Sequence, residues 1–268
     1  MGGRLERIRQ ANEGWFMKPL AMVVGASRRV GREVALELAR AGFDVVLTFH
    51  SDHVGAQETQ SMAEALGAKV TLLQLDLDNT DTALTTVGAL ALEKLDALIV
   101  SAGLWEKDLA HDHAGAQAAR FMRVNCITPT ALARMLSPAL ARSTLAGGAS
   151  VMAFGDIHVD FCPMKEFTHY LASKRALHAW FRNLALELAP RIRVNVIIAG
   201  VIAWPQSMGD AQQETYVRRV PLGRLGTPKD AAALVRFVTL DAPFMTGSAI
   251  TLDGGRSLVE DGDLKDGD

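Results

Sequence analysis

The sequence predicts a single α/β domain: a Rossmann-type, doubly wound parallel sheet of seven strands with helices on both faces. Seven short runs of aliphatic and β-branched residues recur along the 268 residues, and they are almost continuously apolar, as strands covered on both faces are. Segments with apolar residues at helical spacing separate these runs. In such folds ligands bind beyond the carboxyl ends of the strands, so functional residues are expected directly after them.

The predicted strands are Leu20–Val24, Asp44–Phe49, Val70–Leu75, Ala97–Val100, Ser150–Phe154, Ile192–Ile198 and Ala249–Leu252. The predicted helices are Arg29–Ala41, Gln57–Leu66, Thr80–Leu92, Gln117–Ala141, Glu166–Leu188 and Pro228–Leu240. The first helix has Val30, Val34 and Leu38 on one face and stops before Gly42, a residue type that commonly ends helices.

The domain is expected to span residues 19–258, between an N-terminal tail (1–18) and an acidic C-terminal tail (259–268). Residues 1–18 lack the apolar core of a signal peptide, and no apolar run approaches the length needed to span a bilayer. We therefore expect a protein that is not in a membrane.

Charge and cysteine content limit the classes of ligand and the redox compartment that the sequence suggests. The 28 Lys and Arg residues nearly balance 30 Asp and Glu residues, so no global field favours nucleic acid, and a small-molecule partner is expected. The two cysteines, Cys126 and Cys162, form no CxxC pair, which indicates neither a disulfide framework nor a zinc site. We expect reduced thiols and a cytoplasmic location.

The segment from Gly25 to Gly31 (GASRRVG) joins the first strand to the first helix. Gly25 gives the turn its backbone freedom, Gly31 allows close packing, and the helix N-terminus with its free amides favours a pyrophosphate. The alternative is a plain strand-to-helix turn, because a Gly-x5-Gly spacing alone is weak evidence.

The same region predicts NADPH rather than NADH. Arg28 and Arg29 would attract an extra phosphate, and the second strand ends in Phe49, His50 and Ser51 where NAD-binding proteins place a carboxylate. Asp52 lies close by and weighs against this preference. Asp76, after the third strand, is expected either to accept a hydrogen bond from an adenine amino group or to cap a helix.

Tyr170 and Lys174 stand four residues apart in a segment of helical pattern, so both side chains emerge on one face. A neighbouring ammonium is expected to lower the phenol pKa and make Tyr170 a better proton donor. That chemistry suits the reduction of a C=O or C=N bond by hydride.

Together, these segments resemble the short-chain dehydrogenase/reductases over about residues 19–258. The resemblance rests on the glycine loop, Ser101–Gly103, Asn125 in RVNCITP, the YxxxK pair and the closing TGSAITLDGG. It implies that Tyr170 donates the proton, Lys174 also holds the nicotinamide ribose, and Asn125 helps order a proton-relay water. The expected cofactor-binding residues are Gly25, Ser27, Arg28, Arg29, Val30, Phe49, His50, Ser51, Asp76, Leu77, Ser101, Ala102, Gly103, Tyr170, Lys174, Gly200 and Ile202.

Asp156 stands where a typical family member has a serine, 14 residues before Tyr170. A carboxyl group there suits an amino-substituted nitrogen heterocycle, although a loop-capping aspartate is the alternative. Trp105 is expected to sandwich a flat ring against the nicotinamide, unless it simply packs under a loop. Trp204 either walls the substrate pocket or closes a loop.

With Arg29 in the glycine loop and the ending LDGGRSL, these features resemble the pteridine reductase branch, especially dihydromonapterin reductases. Gly103 and Ala199 depart from the family pattern, which has a serine and a proline there. The resemblance implies an NADPH-dependent reductase of a pterin ring, with Tyr170 as proton donor and Asp156 assisting, and a homotetramer with the two longest predicted helices at an interface. The alternatives are a carbonyl reductase acting on a 3-oxoacyl thioester or small ketone, and a non-catalytic NADP-sensing module.

Three other signals are set aside. The clusters Asp156–Asp160 and His111–His113 contain possible metal ligands, but neither has the spacing of a known zinc or iron site, and no metal is expected. His178 continues the Tyr170–Lys174 stripe one turn further, where packing is the expected role.

Overall fold

The structure, a computed structural model, describes residues 18–112, 115–161, 163–204 and 209–259. Nearly all of the two predicted tails, and Cys162, lie outside the described residues. Seven parallel strands form one sheet in the order β3-β2-β1-β4-β5-β6-β7. They are β1 (Leu20–Val24), β2 (Asp44–Phe49), β3 (Val70–Gln74), β4 (Ala97–Val100), β5 (Ala149–Asp156), β6 (Ile192–Ala199) and β7 (Ala249–Leu252).

The fold prediction is confirmed: this is a doubly wound parallel sheet. The strand order reverses between β1 and β4, which pair in register from Ala21–Ala97 to Val24–Val100. Two apolar layers cover the two faces of the sheet. Because β1 and β4 are buried along almost their whole length, their side chains are apolar on both faces. Strands β5 and β6 are equally buried, and they include the polar residues Ser150, Arg193 and Asn195.

The helices that cover the sheet are α1 (Arg29–Arg40), α2 (His53–Ala65), α3 (Thr80–Gly88), α4 (Ala116–Met122), α5 (Thr128–Met135), α6 (Ser137–Leu140), α7 (Thr168–Leu188), α8 (Asp210–Arg218) and α9 (Pro228–Leu240). A π-helical turn (Arg123–Ile127) links α4 to α5, and 3-10 turns follow β5 (Ile157–Val159) and β7 (Arg256–Leu258). None of the helices among the described residues is both long and apolar enough to cross a bilayer.

The single long helix predicted over Gln117–Ala141 is wrong. The structure divides this stretch into α4, the π-turn, α5 and α6. Pro129 and Pro138 each lie in the first turn of the short helix that follows the break, because proline has no N–H to donate and favours a helix start.

Other predicted boundaries also shift: α2 begins at His53 rather than Gln57, α3 ends at Gly88 rather than Leu92, and α7 begins at Thr168 rather than Glu166. Strand β5 continues two residues past the predicted end, to Asp156, which pairs with Ala199 of β6. Helix α8 was absent from the prediction, and it contains no buried residue. Its segment therefore lacks the apolar stripe by which a helix is found in a sequence.

Candidate active site

A cavity of about 650 Å³ lies beyond the carboxyl ends of the strands. It is lined by the residues that follow β1, β2, β3, β4, β5 and β6, together with part of α7. Every predicted cofactor and substrate residue lines this cavity. Of the predicted catalytic residues, only Asn125 lies behind the wall.

The glycine loop forms the tight turn that the sequence predicted. Gly25 has φ +83°, and a Cβ there would lie 2.6 Å from the Cβ of Ala102. A Cβ on Gly31 would lie 1.9 Å from the carbonyl oxygen of Gly25. Only glycine fits at both positions, so β1, β4 and the start of α1 approach closely enough to leave a concave cradle.

Arg29 adopts a left-handed backbone with φ +53°, a conformation that explains why glycine is common at this point of the loop. Its guanidinium Nη2 donates a hydrogen bond to the carbonyl oxygen of Ala203, at 2.5 Å. Arg29 therefore links the glycine loop to the loop after β6. Arg28, the residue before α1, is exposed on the cavity wall.

Two aspartates that follow the second and third strands, Asp52 and Asp76, each accept a hydrogen bond from a nearby backbone amide. Asp52 caps α2 by accepting a hydrogen bond from the Gly55 amide at 3.0 Å. Asp76 accepts from the Asp78 amide at 2.9 Å, while Asn79 caps α3. The capping alternative for Asp76 is therefore wrong, and its half-exposed carboxylate faces the cavity.

These features fit a dinucleotide. The cavity runs from the glycine cradle past Ser101–Gly103 to Tyr170 and Lys174, and its volume lies in the range of ligand pockets. A Cβ on Gly103 would lie 3.3 Å from Lys174 Nζ, so the absence of a side chain there keeps the approach to the amine open. The residues present would hold the pyrophosphate at the start of α1 and the nicotinamide end at Tyr170 and Lys174.

Asp156 and Tyr170 are in direct contact. The Tyr170 hydroxyl donates to Asp156 Oδ2 at 2.5 Å. The other carboxylate oxygen, Oδ1, accepts from the His158 amide at 2.8 Å and contacts His158 Nδ1 at 2.6 Å. One oxygen therefore caps the 3-10 turn, as the capping alternative expects, and the other faces the tyrosine; binding of a nitrogen heterocycle by Asp156 remains a prediction.

These contacts govern protonation. Burial alone would raise the pKa of Asp156, but the hydrogen bonds and charge of His158 and the hydrogen bond from Tyr170 outweigh it and lower this pKa. Burial, and then the charge and hydrogen bond of Asp156, raise the pKa of Tyr170 well above its ordinary value. The expected lowering of the phenol pKa by Lys174 is therefore wrong, because burial of the phenol and the adjacent Asp156 carboxylate raise this pKa instead.

Lys174 is buried beside this pair. Its Nζ donates to the carbonyl oxygen of Phe154 at 2.7 Å and lies 5.9 Å from the centre of the Tyr170 ring. Burial lowers the pKa of Lys174 to about 8, against the opposing effect of Asp156. The amine remains mostly protonated at neutral pH and keeps a positive charge at the floor of the cavity.

Asn125 supports the site from the π-turn. Its Oδ1 accepts from the Leu104 amide at 2.8 Å, and its Nδ2 donates to Ser173 Oγ at 2.9 Å. Ser173 in turn donates to the Tyr170 carbonyl oxygen at 2.6 Å. Asn125 thus ties the loop after β4 to α7, and the relay-water role implied by the resemblance remains a prediction.

Two aromatic pairs form part of the cavity surroundings. Trp105 stacks on Phe167, with ring centroids 4.9 Å apart and planes at 25°. Trp204 packs against Tyr216 of α8 at 5.9 Å, and the Tyr216 hydroxyl accepts from the Val201 amide at 3.1 Å. Both tryptophans line the cavity, and both also pack against a neighbouring aromatic ring. A place on the wall of the substrate pocket and a role in packing a loop are therefore compatible for each.

Two functional positions were missed or set aside. Tyr216 lies on α8, which no sequence pattern revealed. His158 was considered only as part of a possible metal cluster, yet it lines the cavity and contacts Asp156. Its spacing of two residues from Asp156 was the available signal. Among the described residues, no group of three or more His, Cys, Asp or Glu side chains is placed to hold a metal ion.

Comparison with known proteins places this chain in a family. Residues 25–257 match the family model described as "Enoyl-(Acyl carrier protein) reductase". The uncharacterized oxidoreductase YohF of Escherichia coli is 30% identical over 254 residues, covering 91% of this chain and 97% of the relative. Carbonyl reductase family member 4 of Danio rerio is 30% identical over 252 residues, covering 91% and 100%.

Among solved structures, acetoin dehydrogenase YohF from Salmonella typhimurium superposes with a TM-score of 0.82 and 28% identity, covering 92% of this chain and 99% of that one. The chain belongs to the short-chain dehydrogenase/reductase family. It is an oxidoreductase of the kind that uses a nicotinamide dinucleotide. The names of these three relatives mention no pterin, and the pterin branch remains a prediction.

Proposed function

We propose that this chain is an NADPH-dependent reductase of a flat nitrogen heterocycle of the dihydropterin type, with Tyr170 as the proton donor. The observation that carries this proposal is the Asp156 carboxylate, 2.5 Å from the Tyr170 hydroxyl. A serine at this position would donate a hydrogen bond to a substrate carbonyl. An ionised carboxylate only accepts hydrogen bonds, so the substrate has to supply a donor beside the atom that receives the proton.

A dihydropterin meets this requirement. It carries amino and ring N–H donors on the same flat ring system as the C=N bond that is reduced. Asp156 Oδ1 already has two partners, whereas among the described residues Oδ2 accepts from Tyr170 alone, so Oδ2 has capacity for one substrate N–H. Because the pKa of Asp156 is lowered, its carboxylate binds and orients the ring, and the proton comes from Tyr170.

The cofactor preference rests on charge at the end of β2. Arg28 is exposed on the cavity wall, and Asp52, which follows β2, is committed to capping α2. The half-exposed Asp76 carboxylate lies beside His50, 3.8 Å from its Nε2, so the preference for the 2′-phosphate of NADPH rests on the Arg28 cation and on the absence of an acid at the last residues of β2. When bound, the reduced nicotinamide would supply the hydride, and Lys174 keeps a positive charge in the lining of the cavity.

A carbonyl reductase is the second candidate, and a specific observation favours it. The structural neighbour from Salmonella typhimurium is an acetoin dehydrogenase, and an α-hydroxy ketone presents a hydroxyl donor beside its carbonyl acceptor. This arrangement would also satisfy Asp156 and Tyr170. A simple ketone or 3-oxoacyl thioester has no such adjacent hydroxyl.

The test is a steady-state assay of NADPH and NADH oxidation with dihydromonapterin, dihydrobiopterin, acetoin and an acetoacetyl thioester. We expect turnover of a dihydropterin with NADPH preferred, and at least a 100-fold loss in Asp156→Ser, because the carboxylate contact is lost. Asp156→Asn, of nearly the same shape, is the matched control for charge.

Three other outcomes would overturn the proposal. Turnover of acetoin alone would establish the carbonyl reductase. Ketone turnover that survives Asp156→Ser while dihydropterins remain inert would remove the role of the carboxylate. Tight binding of NADPH without oxidation on any substrate would indicate a non-catalytic sensing module.

A further inference from the structure

We propose that His158 is a positioning residue that holds the Asp156 carboxylate against Tyr170. This inference rests on the proposed function only in taking Asp156 and Tyr170 as the pair that faces the substrate. Neither the fold nor the family resemblance assigned a role to His158.

The geometry places two His158 contacts on a single carboxylate oxygen. Strand β5 ends at Asp156, and the chain turns at once into the 3-10 turn Ile157–Val159, whose first residue is fully buried. The His158 amide and Nδ1 lie 2.8 and 2.6 Å from Oδ1. With Oδ1 held on this side, Oδ2 is directed to the Tyr170 hydroxyl.

Burial makes this arrangement costly to lose. The Asp156 and His158 side chains are only 15% and 12% exposed, so an anion without its partner would seek another rotamer or solvent. The charged and titratable groups facing the pair from α7 are Tyr170, Lys174 and His178. None of these three groups contacts Oδ1. Among the described residues, the two contacts with that oxygen both come from His158.

Hydrogen bonds on Oδ1 also assist the release of the Tyr170 proton. When the phenol gives up its proton, a phenolate forms beside the carboxylate, and the two anions repel each other. Donors at Oδ1 draw negative charge toward the far side of the carboxylate. His158 therefore keeps Asp156 close enough to position substrate while limiting this repulsion.

The kinetic test compares His158→Ala with His158→Asn. The Asn amide can reach Oδ1 in place of Nδ1, whereas Ala leaves only the backbone contact. We expect kcat to fall about 10- to 100-fold in His158→Ala, because small misplacements near the reacting atoms have effects of this size, and to recover to within about fivefold of wild type in His158→Asn. NADPH affinity should stay within about twofold in both variants.

A second measurement does not depend on turnover. The chain has two tyrosines, so in a Tyr216→Phe background an ultraviolet titration reports Tyr170 alone. We expect no ionisation step near pH 10, where a free tyrosine titrates. When His158→Ala is added, the step should shift toward that value, because the released carboxylate turns away from the phenol and this loss outweighs the loss of the donors at Oδ1. His158→Asn should keep the high pKa, and circular dichroism should confirm that each variant is folded.

The two readouts separate the possible failures. If wild-type protein reduces no dihydropterin, the proposed function fails, while the tyrosine titration still decides the role of His158. If His158→Ala matches wild type in the titration and in turnover of whichever substrate is found, the positioning role is wrong. Loss without recovery in His158→Asn would also overturn it.

Discussion

At the residue scale, burial and the adjacent Asp156 carboxylate set the protonation state of the Tyr170 phenol. A phenol whose pKa is raised by burial and by an adjacent anion stays protonated across neutral and mildly alkaline pH. It is therefore available as a proton donor for reduction and is a poor base for oxidation. Lys174, with a pKa lowered to about 8, donates to the Phe154 carbonyl oxygen and does not reverse this effect, because burial and Asp156 dominate the Tyr170 pKa.

The pH dependence of the reverse reaction tests this arrangement. Oxidation requires the phenolate, so its rate should rise with pH only above the ordinary tyrosine value of about 10. Asp156→Asn removes the anion, which lowers the Tyr170 pKa and should move this rise to lower pH. Initial rates of NADP⁺ reduction measured from pH 7 to 11 give the comparison. Superimposable profiles for the two proteins would contradict the assignment.

At the scale of elements, the sequence predicted those parts of the fold whose pattern is local. The strands were found within one or two residues at every end, because strands such as β1 and β4 are continuously apolar. Helix α1 was found because its apolar face and its end at Gly42 are both visible in the sequence. Helix α8 was not, since none of its residues is buried.

The candidate site also has a part that the sequence predicts and a part that it does not. The glycine loop and the Tyr170–Lys174 pair were each recognised from spacing within a short segment, and the structure brings them into one cavity. The contacts of Arg29 with Ala203 and of Asn125 with Ser173 join residues that are 174 and 48 positions apart. No local sequence pattern contains such information. The raised pKa of Tyr170 likewise depends on burial and on its contact with Asp156, which only the folded structure shows.

The packing of β5 against α7 gives a prediction at this scale. A Cβ on Gly155 would lie 2.1 Å from His178 Nε2, an imidazole whose pKa burial and the charges of Lys174 and Arg175 lower to about 4. Gly155→Ala should therefore destabilise the fold by about 1–3 kcal/mol through overpacking. Urea denaturation measures the change.

The matched control combines Gly155→Ala with His178→Ala, which removes the imidazole that the new methyl group would contact. The double variant should recover part of the stability lost by Gly155→Ala, with a coupling of about 0.5–3 kcal/mol. Strictly additive losses would show that the clash lies elsewhere.

At the scale of the whole molecule, the two edges of the sheet have different tasks. The carboxyl edge carries the cavity. The amino edge is held by buried polar groups: Arg193, at the start of β6, donates to the carbonyl oxygens of Gly147, Val238, Thr239 and Ala242 at 2.7–3.1 Å. Asp96, before β4, accepts from the Leu20 amide and the Ser143 hydroxyl.

Arg193→Lys tests this division. An ammonium cannot reproduce the planar fork of donors, so several buried carbonyls lose their partner and stability should fall by about 2–4 kcal/mol. The KM and kcat of the folded variant should stay within about twofold of wild type, because the change lies at the edge away from the cavity. A large change in KM with unchanged unfolding would refute the separation of the two edges.

The hydrogen bond from Arg29 to Ala203 spans that cavity edge, since it joins loops whose strands, β1 and β6, are separated in the sheet by β4 and β5. The glycine loop and the loop after β6 thus share one side chain. Under the proposed function, this contact couples coenzyme preference to substrate choice. Any attempt to re-engineer one through residue 29 will have to correct the other.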